Sequence, residues 1–227
     1  VWDPNSIFDF SSNSNLIEDL LDLPAQNQLT GFGRITDINQ TDENTFCPSG
    51  CQLTYSFSGF TVAAPPIVDA NGDTILAFIG GVINFFVDST TPYDPNNRAA
   101  AEDGTLWLSL TGHAVANALF PGINPTLVGV LTSFGAGADA GSGDGLLDVA
   151  GGLAAGNFDT NTQTDGADFV FSSSFQPFPN GGATAEGYEL FGTADLRGTS
   201  IPVPSSLMLI GLGLLGLGAS ARKRKQA

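Results

Sequence analysis

Apolar and polar positions alternate with a period of two along most of this chain, and Gly, Asn, Asp and Pro interrupt the alternation at short intervals. That is the pattern of half-buried β-strands joined by turns. Leu53, Tyr55 and Phe57 share one parity, with Thr54, Ser56 and Ser58 on the other; after Gly59 the phase shifts by one, and Phe60 and Val62 continue the apolar side. A one-residue slip at glycine predicts a β-bulge. Strands are predicted over 29–38, 53–62, 74–87, 105–111, 126–134, 146–153, 167–175 and 188–197. The 74–87 segment is apolar on both parities, so it is one strand buried on both faces or two strands broken at Gly80-Gly81. Within 105–111 the parity sends Leu106, Leu108 and Leu110 inward and Trp107, Ser109 and Thr111 outward. Residues 69–73 (Asp-Ala-Asn-Gly-Asp) read as a hairpin turn, and 135–145, rich in Gly, reads as a loop. In the first 28 residues Trp2, Phe8 and Phe10 alternate as an edge strand would, and 15–23 read as a short helix or turn ended by Pro24. The prediction is an all-β ectodomain, an antiparallel sandwich or jelly-roll-like fold with a core built from 17 Phe.

The alternation stops near residue 200. Ser205 to Ala221 is 17 residues without a charge. As an α-helix it would be roughly 25 Å long, just enough to cross a bilayer. Pro202 and Pro204 prevent a helix from extending upstream. Arg222, Lys223, Arg224 and Lys225 form a membrane stop that stays cytoplasmic, leaving residues 1–200 on the far side. Three parts follow: an N-terminal segment 1–28, a β-rich ectodomain 29–200, and a tail 201–227 divided into a short motif (201–204), a single hydrophobic helix (205–221) and a basic end (222–225).

The order of these parts, Ile201-Pro202-Val203-Pro204, then a Leu/Gly-rich span, then an Arg/Lys cluster, resembles the PEP-CTERM sorting signal of Gram-negative bacteria. The family motif is usually Val-Pro-Glu-Pro, and Val203 stands where that glutamate would be. The resemblance implies recognition by an exosortase, a transpeptidase-like enzyme of the inner membrane. It also implies anchoring there in transit, then transfer to the cell surface or extracellular matrix. Segments 29–35, 53–60, 147–152 and 167–169 are similar to other PEP-CTERM proteins, which implies a β-rich surface protein without a defined activity.

Charge divides the chain in the same place. The ectodomain keeps three basic residues, Arg34, Arg98 and Arg197, against all 23 acidic ones, so its net charge is 3 − 23 = −20. Such a surface repels nucleic acid and anionic lipid. The chain begins at Val1, consistent with removal of a signal peptide or with a shortened chain. Cys47 and Cys51 are the two cysteines, and export favours a disulfide between them over a metal site.

Candidate chemistry is sparse. His113 is the one histidine, no Gly-x-Ser-x-Gly elbow accompanies it, and no carboxylate pair is singled out for glycoside hydrolysis. The ectodomain is read as non-enzymatic. No cofactor is expected apart from calcium, for which three Asp/Asn-rich segments offer oxygen ligands: Asp69, Asn71 and Asp73; Asp139, Asp144 and Asp148; and Asp159, Asn161, Asp165 and Asp168. Each also fits turn chemistry, in which Asx and Gly serve the backbone. Asn39-Gln40-Thr41 fits an N-glycosylation pattern, of little weight in a bacterium. The resulting reading is an exported structural or adhesive protein whose partners are the sorting enzyme, the inner membrane and exopolysaccharide. Its alternatives are a calcium- or carbohydrate-binding module, a self-assembling filament subunit or other homo-oligomer, and a glycoside hydrolase.

Overall fold

In the computed structural model, residues 7–20, 28–48, 50–88, 90–135 and 139–201 are described. Asn13 and Ser14 take positive φ (38° and 67°) and divide the first strand position into β1 (Ile7–Ser11) and β2 (Leu16–Leu20). Both pieces pair antiparallel with the last strand, so they run in one direction along its edge. Residues 7–20 therefore belong to the sheet. They supply a full strand, and the helix or turn expected from residue 15 is strand through Leu20; Trp2 and residues 21–24 lie outside the described residues.

The chain continues through β3 (Gln28–Ile35), β4 (Asp37–Ile38), β5 (Thr41–Asp42), α1 (Glu43–Phe46), β6 (Gln52–Val62), β7 (Ile67–Val68) and β8 (Thr74–Asp88). It ends through α2 (Ala99–Glu102), β9 (Thr105–Gly112), β10 (Leu127–Ser133), β11 (Ala140–Gly151), α3 (Ala155–Phe158), β12 (Phe169–Pro177) and β13 (Leu190–Thr199). β9 and β10 both lie between β8 and β11, β9 beside Val82–Val87 and β10 beside Thr74–Phe78, so they fill one strand position with the 113–126 excursion between them. Joining the split strands leaves eight positions, β1/β2, β3/β4, β6, β8, β9/β10, β11, β12 and β13, each paired with the next in sequence order and the last with the first. This is a closed, antiparallel, up-and-down barrel.

The sandwich or jelly-roll expectation is thus corrected to a closed barrel. Alternation reports that one face of each strand is buried; it carries no information on whether the buried faces meet across two sheets or around one ring. Closure also removes the long strand edges on which a self-assembling filament would rely. By the pairings, the free edges belong to the two-residue strands β5 and β7.

The inner face is apolar. Phe10, Phe57, Phe60, Phe78, Phe85 and Phe169, with Leu108, Leu110 and Leu147, lie in one buried cluster inside the ring. Glycines make room for the rings: a Cβ at Gly31 would fall on Phe57, at Gly33 on Tyr55 and at Gly198 on Phe169, each its direct cross-strand partner. Outward positions on neighbouring strands, Ser172, Ser174, Thr193, Asp195 and Arg197, are polar. This is the inverse of a membrane-spanning barrel, which is apolar outside and polar within. Two outer patches are covered by loops: Ile17, Phe32 and Tyr188 by the segment carrying Tyr93 and α2, and Ile75 and Ala77 by Phe120 of the 113–126 excursion.

Three local expectations need comment. The Gly59 bulge forms, with φ +78° and a register shift against β3. Residues 74–87 are one strand, turned at Gly80-Gly81, both at positive φ. The 135–145 loop is in fact strand from Ala140, and a Cβ at Gly141 or Gly145 would meet the backbone of β10's position; these glycines serve close approach, not turning. The predicted C-terminal hydrophobic helix falls on residues outside those described. Among the described residues, no helix is long and apolar enough to cross a membrane.

Candidate functional site

The strands' directions place the start of β1, the end of β13, the end of β8 and the start of β9 at one end of the barrel. That end holds the principal cleft, about 450 Å³. Its floor is Phe8, Phe10, Leu53, Val87 and Trp107. Trp107 is there because the β8–β9 register shifts between Phe85 and Phe86, which turns the indole, expected outward, onto the core; Leu106, expected inward, is exposed instead. The indole packs edge-on against Phe10 and Phe158, with centroids 6.1 and 5.6 Å apart.

The cleft's other wall is a flap. Asn39 and Gln40, both at positive φ (52° and 62°), form the two-residue turn between β4 and β5, the geometry that favours Asn. The Asn39 side chain accepts the Asp9 N–H at 2.8 Å, and the Asn39 N–H returns to the Asp9 carbonyl at 2.9 Å. The glycosylation-like triplet is thus hairpin chemistry. α1 follows, and the Cys47–Cys51 disulfide, Cα–Cα 5.1 Å, pins it to the start of β6. Asn39, Thr41 and Thr45 supply the polar rim beside Phe46. Among the described residues the lining contains no titratable side chain. Such a lining can stack and hydrogen-bond a neutral ligand.

A second groove, about 330 Å³, lies outside the barrel beneath the 113–126 excursion. His113 Nδ1 lies 2.9 Å from both carboxylate oxygens of Asp148. Asp144 and Thr126 also line the groove, and the Thr126 hydroxyl donates to the Phe78 and Gly80 carbonyls.

The three calcium candidates resolve differently. Asp69 Oδ1 accepts the Asn71 and Asp73 N–H groups at 2.8 and 2.9 Å, and these bonds hold its carboxyl below the usual range; the carboxylate closes the hairpin turn. Asp139 stands just before β11, where its carboxylate accepts the Gly135 N–H, whereas Asp144 and Asp148 lie along the strand. Asp144 and Asp148 alone are roughly 13 Å apart along the strand, too far for one ion. Asp168 is buried and accepts three backbone N–H groups, from Val149, Thr160 and Asn161, at 2.7, 2.6 and 2.7 Å; it ties the 159–165 loop to β11. Among the described residues, no group of three or more His, Cys, Asp or Glu side chains is gathered to hold a metal.

Sequence reasoning missed Glu18. It faces the barrel interior from β2, and burial, with a smaller push from Asp19, raises its pKa to about 8. Its Oε1 has no hydrogen-bond partner. It lines a residual cavity of about 20 Å³ with Ser173, Gly129 and Gly143, room for one water. The signal was present: read as a strand, Leu16-Ile17-Glu18 puts Glu18 on the inward parity of Leu16.

The body's three arginines are committed as well. Arg34 pairs with Glu43 and stacks over Tyr93, Arg98 pairs with Glu102, and Arg197 pairs with Asp9. What remains is an acidic barrel with a filled interior and an uncharged cleft at the end from which the chain leaves.

That barrel is delivered by a signal. Residues 200–225 match the family model for the PEP-CTERM protein-sorting motif. The chain carries this sorting signal and is therefore an exported protein, handled by an exosortase-type system and anchored in the membrane in transit. No curated protein and no solved structure matches the chain.

Proposed function

We propose that this protein is a surface or matrix component whose barrel acts by adhesion, holding a neutral exopolysaccharide segment in the mouth cleft without turning it over. The observation that carries the reading is the cleft itself: aromatic walls at Phe8, Phe10, Phe46 and Trp107, a rim of Asn39, Thr41 and Thr45, and no titratable group among the described lining residues. Sugar rings stack on aromatic faces and hydrogen-bond to amide and hydroxyl rims. A charged ligand would find no counter-charge there and would meet an ectodomain of net charge −20.

The test uses the full chain in mild detergent and a panel of neutral polysaccharides, read by tryptophan fluorescence. With Trp2 replaced by Phe, Trp107 is the one indole left, and it reports from the cleft. A saturable change that Phe46→Ala and Asn39→Ala weaken supports the proposal. No change across the panel, or a change indifferent to both substitutions, refutes it.

A further inference from the structure

The barrel end from which the chain departs carries four exposed apolar side chains. Ile7, which pairs with Thr199 at the end of β13, is 65 % exposed. Ile201, 42 % exposed, follows two residues later, and its N–H donates to the Asn157 carbonyl of α3 at 2.7 Å. Leu153, 77 % exposed, lies just before α3; next to it, the Ala154 N–H donates to the Trp107 carbonyl at 2.7 Å. Leu106, adjoining Trp107, is 40 % exposed. Four of the nine large exposed apolar side chains among the described residues thus share one rim, linked by strand register and these two hydrogen bonds.

The chain beyond Ile201 says what covers that rim. Pro202, Val203 and Pro204 alone separate Ile201, fixed to α3, from the uncharged run beginning at Ser205. Four residue steps reach at most about 14 Å. The headgroup layer on each side of a bilayer takes roughly 5–8 Å of that. While the sorting signal is in the membrane, this end of the barrel is therefore held within about 9 Å of the headgroup layer.

The geometry points to a membrane-docking surface: Ile7, Leu106, Leu153 and Ile201 rest in the headgroup boundary of the membrane that holds the tail. Isolated apolar side chains on a surface need no partner, but a set sharing one rim and held within reach of lipid gains by burial there. The body's net charge of −20 makes neutral lipid the partner and disfavours an anionic surface. The inference rests on the sorting signal and the rim, not on the glycan reading.

The test places the full chain in phosphatidylcholine vesicles containing brominated lipid. The native cysteines are joined, so Leu153→Cys supplies a reactive thiol for a fluorophore. Val68→Cys marks the opposite end and Leu119→Cys the barrel's side; both residues are exposed. The expected result is several-fold stronger lipid quenching at position 153 than at 68 or 119; equal quenching overturns the proposal. A flexible Gly/Ser insertion after Ile201 separates docking from tethering. With a docked rim the position 153 signal persists in the lengthened chain and falls when Ile7→Ser and Leu106→Ser are added. Loss from lengthening alone means that only the tether held the barrel close, and overturns docking. Disulfide cross-linking of Leu153→Cys between copies, undiminished by diluting the protein in lipid, would assign the rim to a second copy instead and overturn the lipid surface. Unchanged melting of the two serine variants confirms that the fold is intact.

Discussion

Replacing Glu18 by Gln should make the barrel more stable, and increasingly so as the pH rises. Glu18 is buried against aromatic rings and its Oε1 has no partner, so the folded protein keeps it protonated up to about pH 8, against an ordinary value of 4.5. Between those two values the folded state holds a proton that the unfolded state has lost. Raising the pH therefore draws the equilibrium towards unfolding. The shift spans 8 − 4.5 = 3.5 pH units, which at about 1.4 kcal/mol per unit amounts to on the order of 5 kcal/mol by pH 8. At pH 7 about 3 kcal/mol has been lost, a sizeable part of the 5–15 kcal/mol typical of a folded domain. The amide cannot ionise and escapes this cost. The assay is urea unfolding of both proteins from pH 4 to pH 9 in mild detergent. The curves should coincide below pH 4.5 apart from a constant offset, diverge by roughly one kcal/mol or more per unit, and run parallel again above pH 8. In thermal melts the gap at pH 7 corresponds to roughly 6–12 °C for a domain of this size. Glu18→Leu, which removes the polar group altogether, should show the same divergence. If both variants track the native protein at a constant distance across the whole range, Glu18 is not buried as described and the reasoning fails.

Four further outcomes are expected. Gly31→Ala should cost about 1–3 kcal/mol by overpacking, because its Cβ would fall on the Phe57 ring and the Ile17 carbonyl; a neutral melt would count against the glycine–aromatic pairing. Reducing the Cys47–Cys51 bond, which closes a five-residue loop, should cost about 2 kcal/mol on the chain-entropy model, and hydrogen exchange should rise first in the flap at 37–52. Asp69→Asn should open the β7–β8 hairpin, and because bonds from the Asp73 and Asn71 N–H groups lower the Asp69 pKa, native Asp69 should lose its hold only as the pH falls through that lowered value; hairpin amide exchange that ignores acid would contradict this. Millimolar calcium should leave the melting midpoint unmoved, since the Asp69 and Asp168 oxygens are already used by backbone N–H groups; an upward shift would show a site that this geometry does not.

Much of this was legible before folding. Most strand positions, the Gly59 bulge and the Asp69–Asp73 hairpin follow from local alternation and turn residues. Other readings failed for identifiable reasons. The 135–145 stretch looked like a loop because glycine is read as a turn signal, whereas Gly141 and Gly145 are set by the β10 backbone lying against them. Alternation sends Trp107 outward because parity along the chain runs through a register shift that only the pairing of β8 with β9 reveals. Of the calcium candidates, Asp69 and Asp168 bind backbone N–H groups, and sequence does not say which donor reaches a carboxylate first.

The sequence by itself determined which side of most strands is buried, that the body is acidic and exported, and where the body stops and its sorting signal begins. These are properties of period, composition and contiguous hydrophobicity, and each is carried by residues near one another along the chain. Tertiary structure alone decided that the strands close into a barrel, that Glu18 is sealed inside it, that the cleft forms at the mouth, and that Ile7, Leu106, Leu153 and Ile201 meet on one rim. Each of those depends on residues far apart in sequence being brought into register. The alternation that specifies a strand is satisfied equally well by any partner that buries its apolar side.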